Sequence, residues 1–527
     1  MKHYIRPLSL LLAALLLLPL PACSRGTGDG KPFSYPIDAM PRRLDPAIAG
    51  TAEELLAVNN CFEGLVRQDA GGSLVPGVAE SWEVSPDGRT YTFRLREDNQ
   101  WRVDKDTYAP VTAEDFRFGL MRTLAPVTGS QSADALYAIQ NAKEVHEGRV
   151  IPEDLGVEAP DPFTLVITLE RPSATFLYTL TQSAAMPCSQ AYFEATGGRY
   201  GLAPRYLPCN GPFYLSLLEE PLVRLRRNEG YKKGWDAGPS QVTLGVQPSP
   251  QARLEALGME GGYDAAAVPA ALLKEGEADG YESVLLQNAT LALLFNCASQ
   301  PLESAKLRRA LCAALDPAAL GLDAPGALLT EGVRVGGRQY RALAGPPKGI
   351  PHDPERARQW ARESGRGKLR LALLCAPEHD TLLRRALQQW QGLFGLALEV
   401  RIETPEPEEL RRRLRQGEYD IALAALPMGS SFALEALRAL AESGGEGNWM
   451  RYRSDALDAL LRGAAQAQDA ESCAAACLRA EEHLLQKGVV YPLAAQASRL
   501  LLAPGVSGLE VSSAGDQLFF GHAKKFE

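Results

Sequence analysis

Nine cysteines and six histidines carry most of the nucleophilic and metal-binding capacity of this 527-residue chain. Metal sites draw their ligands from close pairs such as C-x-x-C or from histidine clusters. Here the cysteines show no C-x-x-C spacing and the histidines are scattered, so no metal and no cofactor is expected. Hydrolysis fares no better. A nucleophile needs a base and a group that orients it, yet neither G-x-S-x-G nor H-E-x-x-H occurs and no motif singles out a carboxylate pair. No catalysis is expected. What remains is thiol chemistry. Cys188 in MPCSQ and Cys209 in LPCNG flank a loop-rich segment, and a disulfide between them is expected in an oxidising compartment. Cys473 and Cys477 lie four apart on one helix face, while Cys61, Cys297, Cys312 and Cys375 sit in apolar contexts that suit buried thiols.

Cys23 stands apart. Behind Lys2 and Arg6 an apolar run extends from Leu8 to Leu20, short of the ~20 residues that a spanning helix needs. It reads as an export signal over residues 1–22. Leu20, Pro21 and Ala22 before Cys23 resemble the lipobox of bacterial lipoproteins, which implies cleavage before Cys23, a diacylglyceryl group on its thiol and an acylated amino end. Two or three acyl chains hold a protein to a bilayer far better than one. An ordinary signal peptide with a chance cysteine is the alternative. Residues 23–31 form a Gly-rich tether.

Candidate residues must be held by elements, and two grammars alternate along the chain. TYTFRLRED places Tyr91, Phe93 and Leu95 on one strand face, and PFTLVITLE does the same with Phe163, Leu165, Ile167 and Leu169. Between them VTAEDFRFGLMRTL opens a helix at Thr112, with Asp115 three residues on. Further along, LRLALLCA, LALEVRIE and YDIALAAL are strands separated by the helices DTLLRRALQQWQGLF and PEPEELRRRLRQG, the first with Leu383, Leu387, Trp390 and Phe394 on one stripe and the second ended by Gly417. That β-α-β-α-β order predicts a parallel sheet covered on both faces, with ligands bound beyond the strands' carboxyl ends. A helical stretch from Ser454 to Gly488 follows, then an extended tail. The composition is that of a globular protein of two or three domains, 46% hydrophobic and 23% charged. A net charge of -9 and the lack of basic runs interleaved with aromatics exclude nucleic acid as a partner.

Motifs in order along the chain make the pattern specific: LDP at 44–46, VPGVAESW at 75–82, DGRTYTFRLR at 87–96, VTAEDF at 111–116, DLGVEAPDPFTLVITL, CNGPFYL, LFNCASQPL with LRRALCAALD, DPERARQW, and NWMRYRSDALDALL. Taken together they resemble the bacterial extracellular solute-binding proteins of family 5, and oligopeptide-binding members in particular. Each alone explains a hairpin or a helix start and marks no site. The resemblance implies an α/β, two-lobed periplasmic-binding-protein-like fold (type II, with an extra domain) and a ligand cleft between the lobes. It divides the chain into lobe I (32–67, 188–280 and 488–527), an added domain on it (68–187) and lobe II (281–487). It implies a peptide ligand, delivery to ABC permease subunits with cytoplasmic ATPases, membrane contact through the N-terminal lipid alone, and a monomer at the outer face of the cytoplasmic membrane. A peptide-sensing receptor or a receptor for a non-peptide solute would use the same fold.

At the cleft the resemblance places Gly50, Thr51 and Ala52, Tyr137 from the added domain, and Met428, Gly429 and Ser430 after the last parallel strand. Arg413 is open to two readings, a contact for a ligand carboxylate or a solvated basic helix end. Relatives hold the peptide through backbone pairing and catch its amino end with an aspartate, but the aligned position is Ala425. Ala494 and Ala495 stand where relatives carry aromatics. Both changes remove groups from the expected pocket.

Overall fold

The computed structural model describes residues 30–526 apart from 70, 103–107, 174, 232–237, 274–279, 322–325, 366–367, 429, 446 and 513–516. The chain opens with β1 (Phe33–Ile37) and helix α1 (Ala52–Cys61). The alternating segments then form an antiparallel sheet of β2 (Ala79–Val84), β3 (Thr90–Leu95), β4 (Val157–Asp161) and β5 (Thr164–Thr168) in the order β2-β3-β5-β4. Tyr91, Phe93, Leu95, Leu165 and Ile167 are buried. Helix α2 (Ala113–Leu124) begins where the Asp115 carboxylate accepts the Thr112 N–H at 2.8 Å. Strands β6 (Phe213–Glu219), β7 (Leu222–Arg227) and β8 (Gln241–Val246) complete a second sheet, β1-β8-β7-β6.

The remaining strands build one mixed sheet: β9 (Ala265–Pro269), β10 (Glu282–Phe295), β11 (Leu369–Cys375), β12 (Leu398–Glu403), β13 (Ile421–Pro427) and β14 (Val490–Leu502), in the order β9-β14-β10-β13-β11-β12. Helices α3 (Asp380–Phe394) and α4 (Pro407–Gln416) make the predicted crossovers, and α5 (Ala433–Ala441), α6 (Asp455–Ala465) and α7 (Ala470–Gln486) follow β13. Leu383 and Trp390 of the α3 stripe are buried, and the indole N–H of Trp390 donates to the Leu311 carbonyl at 2.9 Å. Gly417 ends α4 at φ 70°, a conformation that costs glycine little. The long helical stretch splits in two because Asp469 accepts the Ser472 N–H at 2.7 Å and starts α7.

Two strands run through both halves of the molecule. Glu282–Leu286 of β10 pair with Ser498–Leu502 of β14, whose other edge takes β9, whereas Ala289–Phe295 of β10 pair with β13 on one side and Val490–Gln496 on the other. The register breaks between Leu286 and Ala289, and such a break is where a sheet bends. Buried residues follow the same division. One core gathers apolar residues of 33–286 and 500–523, including Phe520 against Phe33 at 5.6 Å and Tyr35 at 5.7 Å. Two others lie on opposite faces of the mixed sheet, Ala292, Leu294, Ala422, Ala424 and Leu426 on one and Leu291, Leu293, Phe295, Ile421 and Leu423 on the other, as the two-residue period of a strand requires. Val490, Tyr491 and Leu493 belong to these cores and Leu500–Leu502 to the first, so β14 contributes to all three. Among the described residues no helix is long and apolar enough to cross a membrane.

Candidate functional site

Strand β11 sits between β12 and β13, so the crossover through α3 leads one way along the sheet and the crossover through α4 leads back past it. The carboxyl ends of β11 and β13 therefore open at a topological switch point, where open α/β sheets bind ligands. Its floor follows from register. Leu291 pairs with Ala425 on one side and Ala494 on the other, and two residues on Ala289 pairs with Pro427 and Gln496. Residues two apart share a face, so these six form a patch of small and apolar side chains with a single amide. Leu291 is buried, while Ala425, Ala494, Ala289 and Gln496 are partly open.

The wall comes from the turn Pro377–His379 after β11. His379 Nε2 lies 3.4 Å from the amide nitrogen of Gln496. Two strands separate β11 from β14, so the turn reaches across ~14 Å of sheet at the usual spacing. Burial lowers His379 below the ordinary imidazole range, with Glu378 acting against it. The wall is thus neutral in its ring and acidic at the exposed Glu378. Asp380 is drawn to Arg384 at 2.7 Å. Burial pushes the Cys375 thiol up to about 11, which keeps it protonated. Sequence reasoning missed His379, Glu378 and Gln496; the one signal was the strand end in LLCAPEHD.

The expected site residues separate into groups. Glu54 Oε2 accepts the N–H groups of Gly50 at 3.0 Å and Thr51 at 3.2 Å, and Thr51 caps α1 in return. Gly50, Thr51 and Ala52 are exposed around this cap. Tyr137 bonds His146 Nδ1 at 3.0 Å and sits within electrostatic reach of Arg438 and Glu442 of the mixed-sheet half. Ser430 accepts the Phe432 N–H at 3.0 Å and so helps start α5. Met428 is buried in the core on the other face of the sheet, three residues from Ala425 and hence of opposite parity. Arg413 bonds Glu403 at 2.8 Å and the Glu418 carbonyl at 3.0 Å, in a concavity with Asn296, Ser299, Tyr419 and Asp420 where β13 begins. That is the end of the strand remote from Pro427. Cys23 and Gly429 lie outside the described residues.

The expected Cys188–Cys209 bridge is absent. Both thiols are free: Cys188 packs beside Arg122 and Tyr200, whereas Cys209 meets Cys61. Flanking the same loop segment did not make them neighbours. Among the described residues no cluster of His, Cys, Asp and Glu is able to hold a metal.

Comparison with known proteins gives the architecture its family. The chain is 26% identical to the periplasmic oligopeptide-binding protein OppA of Haemophilus influenzae over 511 residues, 91% of each chain. It is also 26% identical to the probable deoxycholate-binding periplasmic protein YgiS of Escherichia coli over 505 residues, 92% of each. The crystal structure of H. influenzae OppA in complex with RPPGFSPFR matches with TM-score 0.75 and 24% identity, covering 94% of this chain and 99% of that one. The murein tripeptide binding protein MppA of Escherichia coli matches at TM-score 0.74, 24% identity and 94% and 99% coverage. Its unliganded open form reaches only 0.64 at 25% identity, with 94% and 98% coverage. These neighbours are two-lobed solute-binding folds. Residues 73–448 match the family described as bacterial extracellular solute-binding proteins, family 5 Middle, and the chain belongs to that family.

Proposed function

We propose that this protein is a non-catalytic receptor that closes two lobes on an extended peptide outside the cytoplasm and hands it to an ABC importer, tethered meanwhile by lipid on Cys23. Residues 23–31 would be the tether, and the division into lobe I, an added domain at 68–187 and lobe II at 281–487 is the one the resemblance implies. The observation that carries the reading is the crevice at the switch point, in a half of the molecule that shares the strands β10 and β14 with the other. A register break in both strands is suited to a hinge, and hinged closure buries a ligand between lobes. Gly50, Thr51, Ala52, Tyr137 and Ser430 remain the proposed contacts from the surrounding segments. Glu378 supplies the acid that Ala425 lacks, at the mouth instead of the floor.

One specific observation favours a second reading. The row Ala425, Leu291 and Ala494 has no charge to meet an ammonium, and a relative of equal identity is named for deoxycholate. An apolar solute with an acidic or neutral end would suit such a floor. Native mass spectrometry of the full chain, purified from an exporting host, tests both. Heterogeneous short peptides are the expected passengers; one recurrent non-peptide mass transfers the assignment to the second reading, and turnover of any passenger refutes the absence of catalysis.

A further inference from the structure

Besides β10 and β14, the two halves touch along a seam between residues of 72–182 and residues of 334–337 and 432–438. The Arg438 guanidinium lies 2.9 Å from the Asp134 carboxylate, with the arginine side chain 14% and the aspartate 34% exposed. The Gln182 amide bonds the Glu435 carboxylate. The Tyr178 ring meets Phe432 edge-on at 5.9 Å. Gly72 packs against the Arg334 stem, and a Cβ at Gly337 would strike both the Tyr178 hydroxyl and the Gly72 carbonyl. Partners at every one of these contacts are more than 150 residues apart in sequence. None of these side chains lies on the crevice floor.

Resting on the closure reading above, we propose that this seam is a latch made only when the lobes shut, and that Asp134, Gln182, Glu435 and Arg438 set the shut population, hence ligand affinity, without touching ligand. Two observations join the contacts. The structure matches the unliganded open form of MppA with a lower TM-score, 0.64, than the other MppA structure, 0.74. Burial also holds the Glu435 and Glu442 carboxyls above the usual range. Glu435 faces Arg438, Asp134, Gln182 and Cys477; Glu442 faces Arg438, Asp134, Asp458, Arg462 and Tyr137. Opening removes the Asp134 and Gln182 side of that burial, so shutting takes up protons and strengthens as pH falls toward the ordinary carboxylate range.

Small-angle scattering of the unliganded full chain at neutral pH tests this. Arg438→Gln and Asp134→Asn are each expected to enlarge the radius of gyration, Arg438→Lys to do so less, and the parent to contract between pH 7 and 5. Curves for Arg438→Gln and Asp134→Asn that superpose on the parent, with unchanged circular dichroism, overturn the latch; expansion of the parent on acidification overturns the part given to the two glutamates. Because no ligand enters the measurement, the result stands apart from whether a peptide is ever found.

An independent observation concerns the thiols. Cys61 ends α1, and its thiol hydrogen-bonds that of Cys209, which also donates to the Leu207 carbonyl at 3.4 Å. The Gly211 N–H donates to the Cys61 carbonyl at 2.9 Å, and a Cβ at Gly211 would lie 2.8 Å from that carbonyl, so the two segments are pressed together. We infer that Cys61 and Cys209 form the disulfide of the exported protein. The two thiols lose two protons and two electrons to a disulfide-bearing oxidoreductase, which leaves as its dithiol, and one S–S bond forms. Cys473 and Cys477 also touch, but positions four apart on a helix hold Cβ atoms ~5–6 Å apart where a disulfide needs ~3.5–4.5 Å. Thiol counting on the denatured full chain after exposure to oxidised glutathione is expected to lose two thiols, and peptide mapping without reductant to join 61 to 209. A full count of free thiols, or a Cys209 peptide joined to Cys188, overturns the assignment.

Discussion

Placing an acid on the crevice floor should convert it from indifferent to selective for free amino ends. Ala425 is flanked in register by Leu291, with Ala494 beyond, and is partly open, so an aspartate fits there without displacing backbone. A ligand ammonium about 4 Å from its carboxylate gains about 4 kcal/mol at the effective dielectric of a partly wet site. Desolvating both charges among alanines and leucine takes back roughly half or more of that. The net is about 1–2 kcal/mol, or roughly tenfold in affinity. Calorimetric titration of Ala425→Asp with trialanine and with N-acetyl-trialanine reads the difference directly: the free peptide should gain that factor over the parent and the acetylated one should not. Equal gains, or none for either, refute the placing of a ligand amino end over this row.

Glu378→Gln is expected to act in the opposite sense, weakening trialanine several-fold and sparing the acetylated peptide in the same titration. His379 and His483 are both lowered by burial, so the unfolded chain, in which they titrate near the usual ~6.5, binds more protons than the folded one around and below that value. Their contribution to stability is therefore intact above about pH 7 and is lost as pH falls through 6.5; thermal unfolding from pH 7.5 to 5.5 should show a shallower decline for His379→Gln with His483→Asn than for the parent. Glu481 is fully buried, accepts the Leu328 and Leu329 N–H groups at 2.8 and 3.0 Å and the Tyr340 hydroxyl at 3.1 Å, and pairs with Arg341. Glu481→Ala strands that guanidinium and should cost about 3–5 kcal/mol in denaturant unfolding.

How far the chain could be read in advance depended on the range of the interactions. The α3 stripe, the Thr112 start of α2, the Gly417 stop and the parallel strands were legible because each rests on a period or a cap within a few residues. Parity alone also decides Met428: it lies an odd number of positions from Ala425, so the two cannot share a face. The wall was not legible. Gln496 and His379 are 117 residues apart, and nothing local announces that a turn after β11 will cross two strands to meet β14. The thiols failed for a related reason, since proximity across a loop says little about which side chains face each other, and Cys209 turned to the end of α1.

The burial of Phe520 against Phe33 and Tyr35, with its N–H given to Asn60 at 3.0 Å, bears on the order of events in biosynthesis. Domains generally consolidate from the amino end as they emerge. Here the first half of the chain lacks part of its interior until the last residues arrive. A nascent molecule of this kind closes that core only after its last segment has been made, so the two ends of the chain are consolidated together and not in order of synthesis.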